Sequence, residues 1–183
     1  MSRTLAVGAA DGSLTLLTGR QGLAGKAGHD LTLTVADWSG EATVDDTGAL
    51  TSLDVTAKLS SLEVTKGEGG IKPLSDKDKV TILEQAAKTL QAAKHPLVTF
   101  TMTTATGTTD KPQVSGTATI AGESQPLKAD LTVRRDNGQA QITATAEVIQ
   151  SAFGIKPYTG MLGALKVRDL VEVRIEVTAA LSN

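Results

Sequence analysis

The sequence predicts a mainly β fold in which antiparallel strands curl into a barrel, with one α-helix inserted between two of them. Apolar and polar residues alternate with a period of two through most of the chain, as expected for strands with one buried face. Short turn sequences separate these runs, and Asp136-Asn137-Gly138 is the strongest of them. A single segment shows the three- and four-residue spacing of a helix instead.

The alternating runs indicate about eight or nine strands in up-and-down order, because the hairpin turns between them are short. A large antiparallel sheet must close into a barrel or pack as a two-layer sandwich, since its edges would otherwise stay unpaired. Long strands and an inserted helix favour the barrel over the sandwich. The clearest runs lie at residues 31–35, 53–59, 98–102, 114–120, 127–133, 142–148 and 171–177.

One apolar stripe predicts the helix, from about Asp76 to Ala93. Ser75 and Asp78 have the spacing of a capping box, and acidic residues in the first turn suit the helix dipole. A second, short helical turn is expected within residues 157–165. We expect the stripe to pack against the barrel, with a lid or a dimer contact as the alternative; it consists of Val80, Leu83, Ala87 and Leu90.

Length and composition limit the function classes. We assign residues 1–183 to a single domain, and the absence of cysteine excludes disulfides and thiolate metal sites. The net charge is -2 and no basic tract stands out, so nucleic acid and anionic membrane surfaces are poor partners. The chain shows no secretory signal and no apolar run near the roughly 20 residues that span a bilayer. We therefore expect a cytoplasmic protein with no integral membrane segment.

Small residues on the predicted inner faces raise the question of what fills the barrel. An eight-stranded barrel is just wide enough to be filled by side chains or to hold one small ligand. The interior is either a narrow, packed barrel or a lumen with another molecule inside, and the alternation alone favours neither. An open lumen would select an elongated apolar ligand, since a polar group there would lack partners. The small inward residues are Ala57, Gly116, Ala118, Ala129, Ala144 and Ala146.

Three segments in order resemble the YceI-like family. They read GKAGHDLTL from Gly25, KHPLVTF from Lys94, and FGIKPY from Phe153 followed by LKVRDLVEV from Leu165, and the resemblance covers about Leu14 to Ala179. It implies an extended eight-stranded antiparallel lipocalin-like barrel whose hydrophobic pore binds a polyisoprenoid lipid. It also implies a homodimer. Many family members are exported to the periplasm.

We expect the ligand to be contacted by pore-lining or portal residues on the predicted inner faces and in the loop after the sixth run. A polar head group would lie at the rim near Lys156, Tyr158 or Arg168. Trp38 either closes one end of the pore on the ligand or plugs the barrel base. The ligand-contacting residues are Leu31, Leu33, Val35, Trp38, Val98, Phe100, Met102, Ala118, Ala144, Phe153, Ile155, Tyr158, Met161 and Leu162.

Residues suited to chemistry are few. The two histidines, His29 and His95, lack the short spacing of metal ligands, and we expect each to bond backbone at a barrel rim. No nucleophile elbow is present. We therefore expect no catalytic residues, no metal and no cofactor, and a function in binding, sequestering or transporting an apolar lipid. The alternatives are a packed barrel used as a structural or interaction module and a lipid-modifying enzyme.

Overall fold

The computed structural model describes residues 2–180 and contains fourteen strands and one α-helix, α1 (Asp76–Thr89). Short 3-10 turns lie at Gly25–Ala27, Leu59–Ser61, Gln150–Phe153 and Met161–Gly163. The strands are β1 (Arg3–Gly8), β2 (Gly12–Thr18), β3 (Arg20–Gln21), β4 (His29–Val35), β5 (Trp38–Val44), β6 (Leu50–Lys58), β7 (Leu62–Gly69), β8 (Leu97–Thr108), β9 (Lys111–Ile120), β10 (Glu123–Asp136), β11 (Gln139–Ile149), β12 (Thr159–Gly160), β13 (Leu165–Val167) and β14 (Leu170–Ala180).

Eleven strands form one curled antiparallel sheet in the order β1-β5-β6-β8-β9-β10-β11-β14-β2-β4-β7, and β12-β13-β3 form a small second sheet. Strands β4 and β5 are two halves of one long bent strand. The first half pairs with β2, and the second half pairs with β6. Because the sheet runs without a break from β6 through β8, β9, β10, β11 and β14 to β2, this bent strand closes it into a barrel. The predicted mainly β, antiparallel class is confirmed. The assignment of residues 1–183 to one domain stays a prediction.

The number of strands differs from the predicted eight because bends split three long strands. Strands β1 and β2, β4 and β5, and β6 and β7 are each one long strand interrupted by two to three residues. At one bend the Ala36 N–H donates to the Ser61 carbonyl, and the Lys58 N–H donates to the Asp37 carbonyl. These hydrogen bonds satisfy the backbone where the regular ladder stops. Ala36 and Asp37 form the bend between β4 and β5, which explains why Trp38 breaks the period-two alternation that ends at Val35.

Helix α1 begins as the sequence predicts. The Asp78 N–H donates to the Ser75 hydroxyl oxygen at 3.1 Å, and the Ser75 N–H donates to the Asp78 carboxylate at 2.8 Å. The Ser75 hydroxyl also donates to the Asp78 carboxylate at 2.7 Å. This bond first, and then the one from the Ser75 N–H, holds the pKa of Asp78 below its usual value. The helix ends at Thr89, four residues before the predicted Ala93, because the chain turns at Gln91 with a φ of +52°.

The face that α1 turns to the barrel differs from the predicted stripe. Val80 is 56% exposed and Ala87 is also exposed, so the stripe does not pack as a unit. Ile82, Leu83 and Leu90 do pack against the barrel core. The inward face of α1 also carries threonine and glutamine side chains. Apolar spacing alone therefore could not identify this face.

Replacing Ser75 with Ala should loosen α1 locally and leave the strands intact. The substitution removes the hydroxyl from the capping box and should destabilise the helix by about 1 kcal/mol. Amide hydrogen exchange of residues 76–89 measures this effect, and Ser60→Ala is the matched control outside the helix. Lowering the pH should produce a similar loosening. The depressed pKa of Asp78 makes its stabilising contribution present above the unfolded pKa and lost as the pH falls through the lower folded value. Unchanged exchange in Ser75→Ala would contradict the assigned role of this cap.

Candidate ligand-binding cavity

A cavity of about 420 Å³ lies inside the barrel. This volume falls within the range of small-molecule pockets and is far larger than the space for a single buried water. Its wall is built by β2, β4, β6, β8, β9, β10, β11 and β14, and α1 covers part of one side. The long strands therefore surround the cavity on all sides.

The wall follows the alternation that the sequence predicts. On β11 the small side chains of Ala144 and Ala146 line the cavity, and on β10 those of Leu127 and Ala129 do. Most of these inward residues keep accessible surface although they point into the barrel. By contrast, Val114, which does not line the cavity, is 0% exposed. Inward side chains stay accessible because the facing side chains are too short to meet across the lumen.

Nine of the fourteen predicted ligand-contacting residues lie in this wall. They are Leu31, Leu33, Val35, Val98, Phe100, Ala118, Ala144, Ile155 and Tyr158.

Two of the other five are packed in the core. Trp38 is 5% exposed and belongs to the apolar cluster around Leu33, Val35 and Ala57, which fits the interpretation as a plug. Among residues 2–180, its indole N–H has no hydrogen-bond partner. Phe153 is 3% exposed and packs in a second cluster that also holds Ile155. Both are therefore buried in the core and do not form the cavity surface.

The remaining three lie away from the cavity surface. Met102 is partly buried on β8, where a register shift follows it and interrupts the alternation. Met161 and Leu162 are 61% and 108% exposed in the loop between β12 and β13. A strand pattern could not position these loop residues, because their location depends on pairing between distant segments.

Phe100 has the largest purely apolar side chain in the wall, and it occupies space that Gly116 provides. Strand pairing places Phe100 opposite Ala118, next to Gly116. A Cβ on Gly116 would lie 2.7 Å from the Phe100 ring and 2.3 Å from the Thr101 carbonyl oxygen. The absence of a side chain at Gly116 therefore leaves room for the Phe100 ring close to the sheet.

Helix α1 forms one part of the wall, which the sequence did not assign to the site. Ile82, Ala86 and Leu90 recur at four-residue spacing and face the cavity. Three polar side chains, Thr81, Gln85 and Thr89, line it beside them. The four-residue spacing of Ile82, Ala86 and Leu90 could have identified this face from the sequence. The predicted stripe shares only Leu90 with it and is rotated around the helix.

The polar part of the wall lies at one end of the barrel, where the loops after β2, β7 and β11 meet. We call this end the mouth. Arg20, His29, Tyr158 and Lys166 line the cavity there. Tyr158 is 39% exposed and Lys166 is also exposed, so the cavity wall reaches the surface at the mouth. Of the predicted head-group residues, Tyr158 lies in the wall, whereas Lys156 and Arg168 are exposed outside it.

Two of the polar mouth residues are held by backbone groups. The Arg20 guanidinium donates to the Gly28 carbonyl at 2.5 Å and forms an ion pair with Asp30 at 3.8 Å. The His29 Nε2 lies 2.8 Å from the Lys72 carbonyl oxygen. Gly70, at a φ of +73°, packs so closely that a Cβ would lie 2.2 Å from this Nε2. Arg20 therefore connects β3 to the start of β4, and His29 connects the start of β4 to the loop after β7.

The segment between β11 and β14 is held against the barrel by hydrogen bonds at its two ends. The amide Nε2 of Gln150, a buried side chain in the cavity wall, donates to the Arg168 carbonyl at 2.9 Å. The Ser151 N–H and hydroxyl both donate to the Asp169 carboxylate, at 2.7 and 2.5 Å. These contacts explain how the FGIKPY and LKVRDLVEV segments come together across a gap in sequence.

The histidines do not come together. His29 lies at the mouth, while the His95 ring packs against Gly122, where a Cβ would lie 2.5 Å away. Within residues 2–180, no group of three His, Cys, Asp or Glu residues has the geometry to hold a metal ion. The same residues include no helix long and apolar enough to cross a bilayer.

Comparison with known proteins matches this geometry. The sequence model described as the YceI-like domain matches residues 11–179. The fold is similar to Burkholderia cenocepacia BcnA, with a TM-score of 0.71 and 18% identity, covering 94% of this chain and 98% of that one. A Campylobacter jejuni YCEI protein has a TM-score of 0.64 and 21% identity, covering 82% of this chain and 85% of that one. A search of curated proteins finds no significant match.

Substituting Phe at two wall alanines should separate open from packed parts of the wall. Ala144 is partly accessible, so Phe there can extend into the lumen with little loss of stability. Ala118 is only 2% exposed and packs beside Ile120 and Phe153, so Phe there should cost about 1–3 kcal/mol by overpacking. Urea unfolding of the two variants measures the difference. Equal destabilisation of both would contradict an open lumen at Ala144.

Proposed function

The chain belongs to the YceI-like family, and we propose that it binds an elongated apolar lipid, of the polyisoprenoid or isoprenoid quinone type, inside the barrel. One observation carries the proposal: the cavity is lined by aliphatic side chains from strands all round the barrel, and these side chains do not fill it. A folded protein rarely keeps an unfilled apolar space of this size without a use, because the empty volume lowers its stability.

The chemistry of the wall selects for apolarity and length. Burying about ten methylene groups contributes roughly 8 kcal/mol, of which part is lost to ordering the ligand. A polar group deep in the lumen would lose its hydrogen bonds to water and find few partners among Val, Leu, Ile and Ala side chains. The lumen therefore favours an unbranched or methyl-branched hydrocarbon chain over a compact polar metabolite.

The mouth supplies the groups for a polar end of such a ligand. Arg20, His29, Tyr158 and Lys166 are the polar side chains of the wall at this end. Arg20 and Lys166 are cationic and the Tyr158 hydroxyl can donate a hydrogen bond, so a phosphate, carbonyl or hydroxyl head would find partners here. The tail would then extend from the mouth toward Ala144 and Phe100.

The arrangement supports a role in sequestration or transport more than in catalysis. Arg20 and His29 hold backbone carbonyls of neighbouring loops. A general base or a nucleophile would instead be oriented by a second side chain and aimed at the bound ligand. A homodimer and a cytoplasmic location stay predictions from the sequence.

Mass spectrometry of an organic-solvent extract of the purified protein tests the proposal. We expect one long-chain lipid per protein molecule, or stoichiometric uptake when a prenyl lipid is added from detergent. A clean extract with no uptake would indicate a packed structural barrel and would end the proposal. Turnover of the added lipid, lost on replacing His29 or His95, would indicate an enzyme instead.

Ala144→Phe should abolish uptake of the added prenyl lipid, because the ring occupies the lumen. Thr117→Phe is the matched control: the same side chain is added on an exposed, outward-facing position of β9. Uptake is measured as lipid bound per folded protein, with circular dichroism to verify the fold. Normal uptake by Ala144→Phe, or equal loss in Thr117→Phe, would argue against binding in the lumen.

A further inference from the structure

Four large apolar side chains are exposed in the loops around the mouth. Leu23 is 101% exposed, Ile71 is 86%, Met161 is 61% and Leu162 is 108%. We call these residues the apolar rim. Single exposed apolar residues are ordinary on a protein surface, but fully exposed leucine and isoleucine side chains gathered at one end of a domain mark an interaction site.

Strand and loop contacts bring the rim together from three distant parts of the sequence. Leu23 lies between Gly22 and Ala24, and the Ala24 N–H donates to the Ala164 carbonyl at 2.9 Å. Ala164 directly follows the loop that carries Met161 and Leu162. Ile71 follows Gly70, which packs against the His29 ring in the cavity wall. The rim therefore borders the end of the barrel at which the cavity reaches the surface.

Two residues of the apolar rim have an unfavourable backbone conformation. Met161 and Leu162 have φ values of +51° and +55°. Bulky residues rarely adopt this left-handed conformation, and two in succession are a backbone outlier. Glycine at both positions would relieve the strain, yet the chain places large apolar side chains there and exposes them.

Positive charge accumulates in the same three loops. Residues 19–30, 66–79 and 155–168 together contain nine Lys or Arg and four Asp or Glu, whereas the whole chain has a net charge of -2. The last of these segments has three basic residues and no acidic one. The sequence shows no basic tract because these residues are dispersed, and the fold gathers them. The expectation from the sequence that anionic membrane surfaces are poor partners did not take this gathering into account.

We propose that the mouth docks on an anionic lipid bilayer, with the apolar rim inserted among the head groups and the surrounding lysines and arginines on the anionic lipids. Exposed apolar side chains beside basic residues are the combination that binds membrane interfaces. The inference rests on the proposed function, because docking at the mouth would let a lipid pass between the bilayer and the lumen without crossing water. Docking itself requires no ligand in the cavity.

Vesicle sedimentation of the full chain tests the docking. We expect the protein to bind vesicles of phosphatidylglycerol and phosphatidylethanolamine, and to bind phosphatidylcholine vesicles much more weakly. The double variant Leu23→Ser with Ile71→Ser should weaken binding to the anionic vesicles about tenfold or more. Leu97→Ser is the control, because Leu97 is 44% exposed but lies on the barrel wall at the start of β8.

Charge reversal gives a second measurement on the same vesicles. Lys26→Glu with Lys72→Glu should also weaken binding about tenfold or more, and added salt should reduce the difference from the unmodified protein. Lys111→Glu is the matched control at the opposite end of the barrel. No binding of the unmodified protein to anionic vesicles would overturn the proposal, as would equal weakening by the rim and control variants.

The outcomes distinguish docking from ligand binding. Uptake of a prenyl lipid delivered from detergent should be unchanged in the rim and charge variants, since Leu23, Ile71, Lys26 and Lys72 lie outside the cavity wall. Uptake without vesicle binding would overturn the docking and leave the proposed function intact. Vesicle binding without uptake would support docking and contradict lipid carriage.

Discussion

The structure depends on a mismatch between the width of the barrel and the size of the side chains that face into it. Closing the sheet removes its unpaired edges but fixes the diameter of the lumen. Inward positions on β10 and β11 carry Ala129, Ala144 and Ala146, which cannot reach the opposite wall. Larger residues at these positions would fill the space and yield a packed core. The cavity is therefore a consequence of residue size on a fixed frame, and no special loop is needed to create it.

The other features of the site can be understood as responses to this open lumen. Trp38 and its apolar neighbours pack one part of the interior, and Phe100 packs against Gly116. Helix α1 covers part of the wall with a face that mixes Ile82 and Leu90 with Gln85. This helix packs on the barrel through side chains such as Leu83, whereas each strand of the wall is hydrogen-bonded to its neighbours in the sheet.

Local signals predicted much of this arrangement, and pairing between distant segments determined the rest. Alternation identified the inward faces of the long strands, including Leu31, Leu33 and Ala144, because a strand's period of two fixes its faces. The capping box at Ser75 fixed where α1 begins. The helix face could not be predicted, since it depends on which side of α1 meets the barrel. The positions of Met161, Leu162 and the basic residues at the mouth depend on the pairing of β3 with β13, which no local pattern reveals.

The most direct test of the account is a crystal structure of the protein isolated together with the lipid that it carries. Continuous density for an extended chain should lie within the barrel, in contact with Ala144 and Phe100, with any polar end near Arg20 and Lys166. Density for protein side chains throughout the lumen, or a lipid bound only on the outer surface, would contradict it.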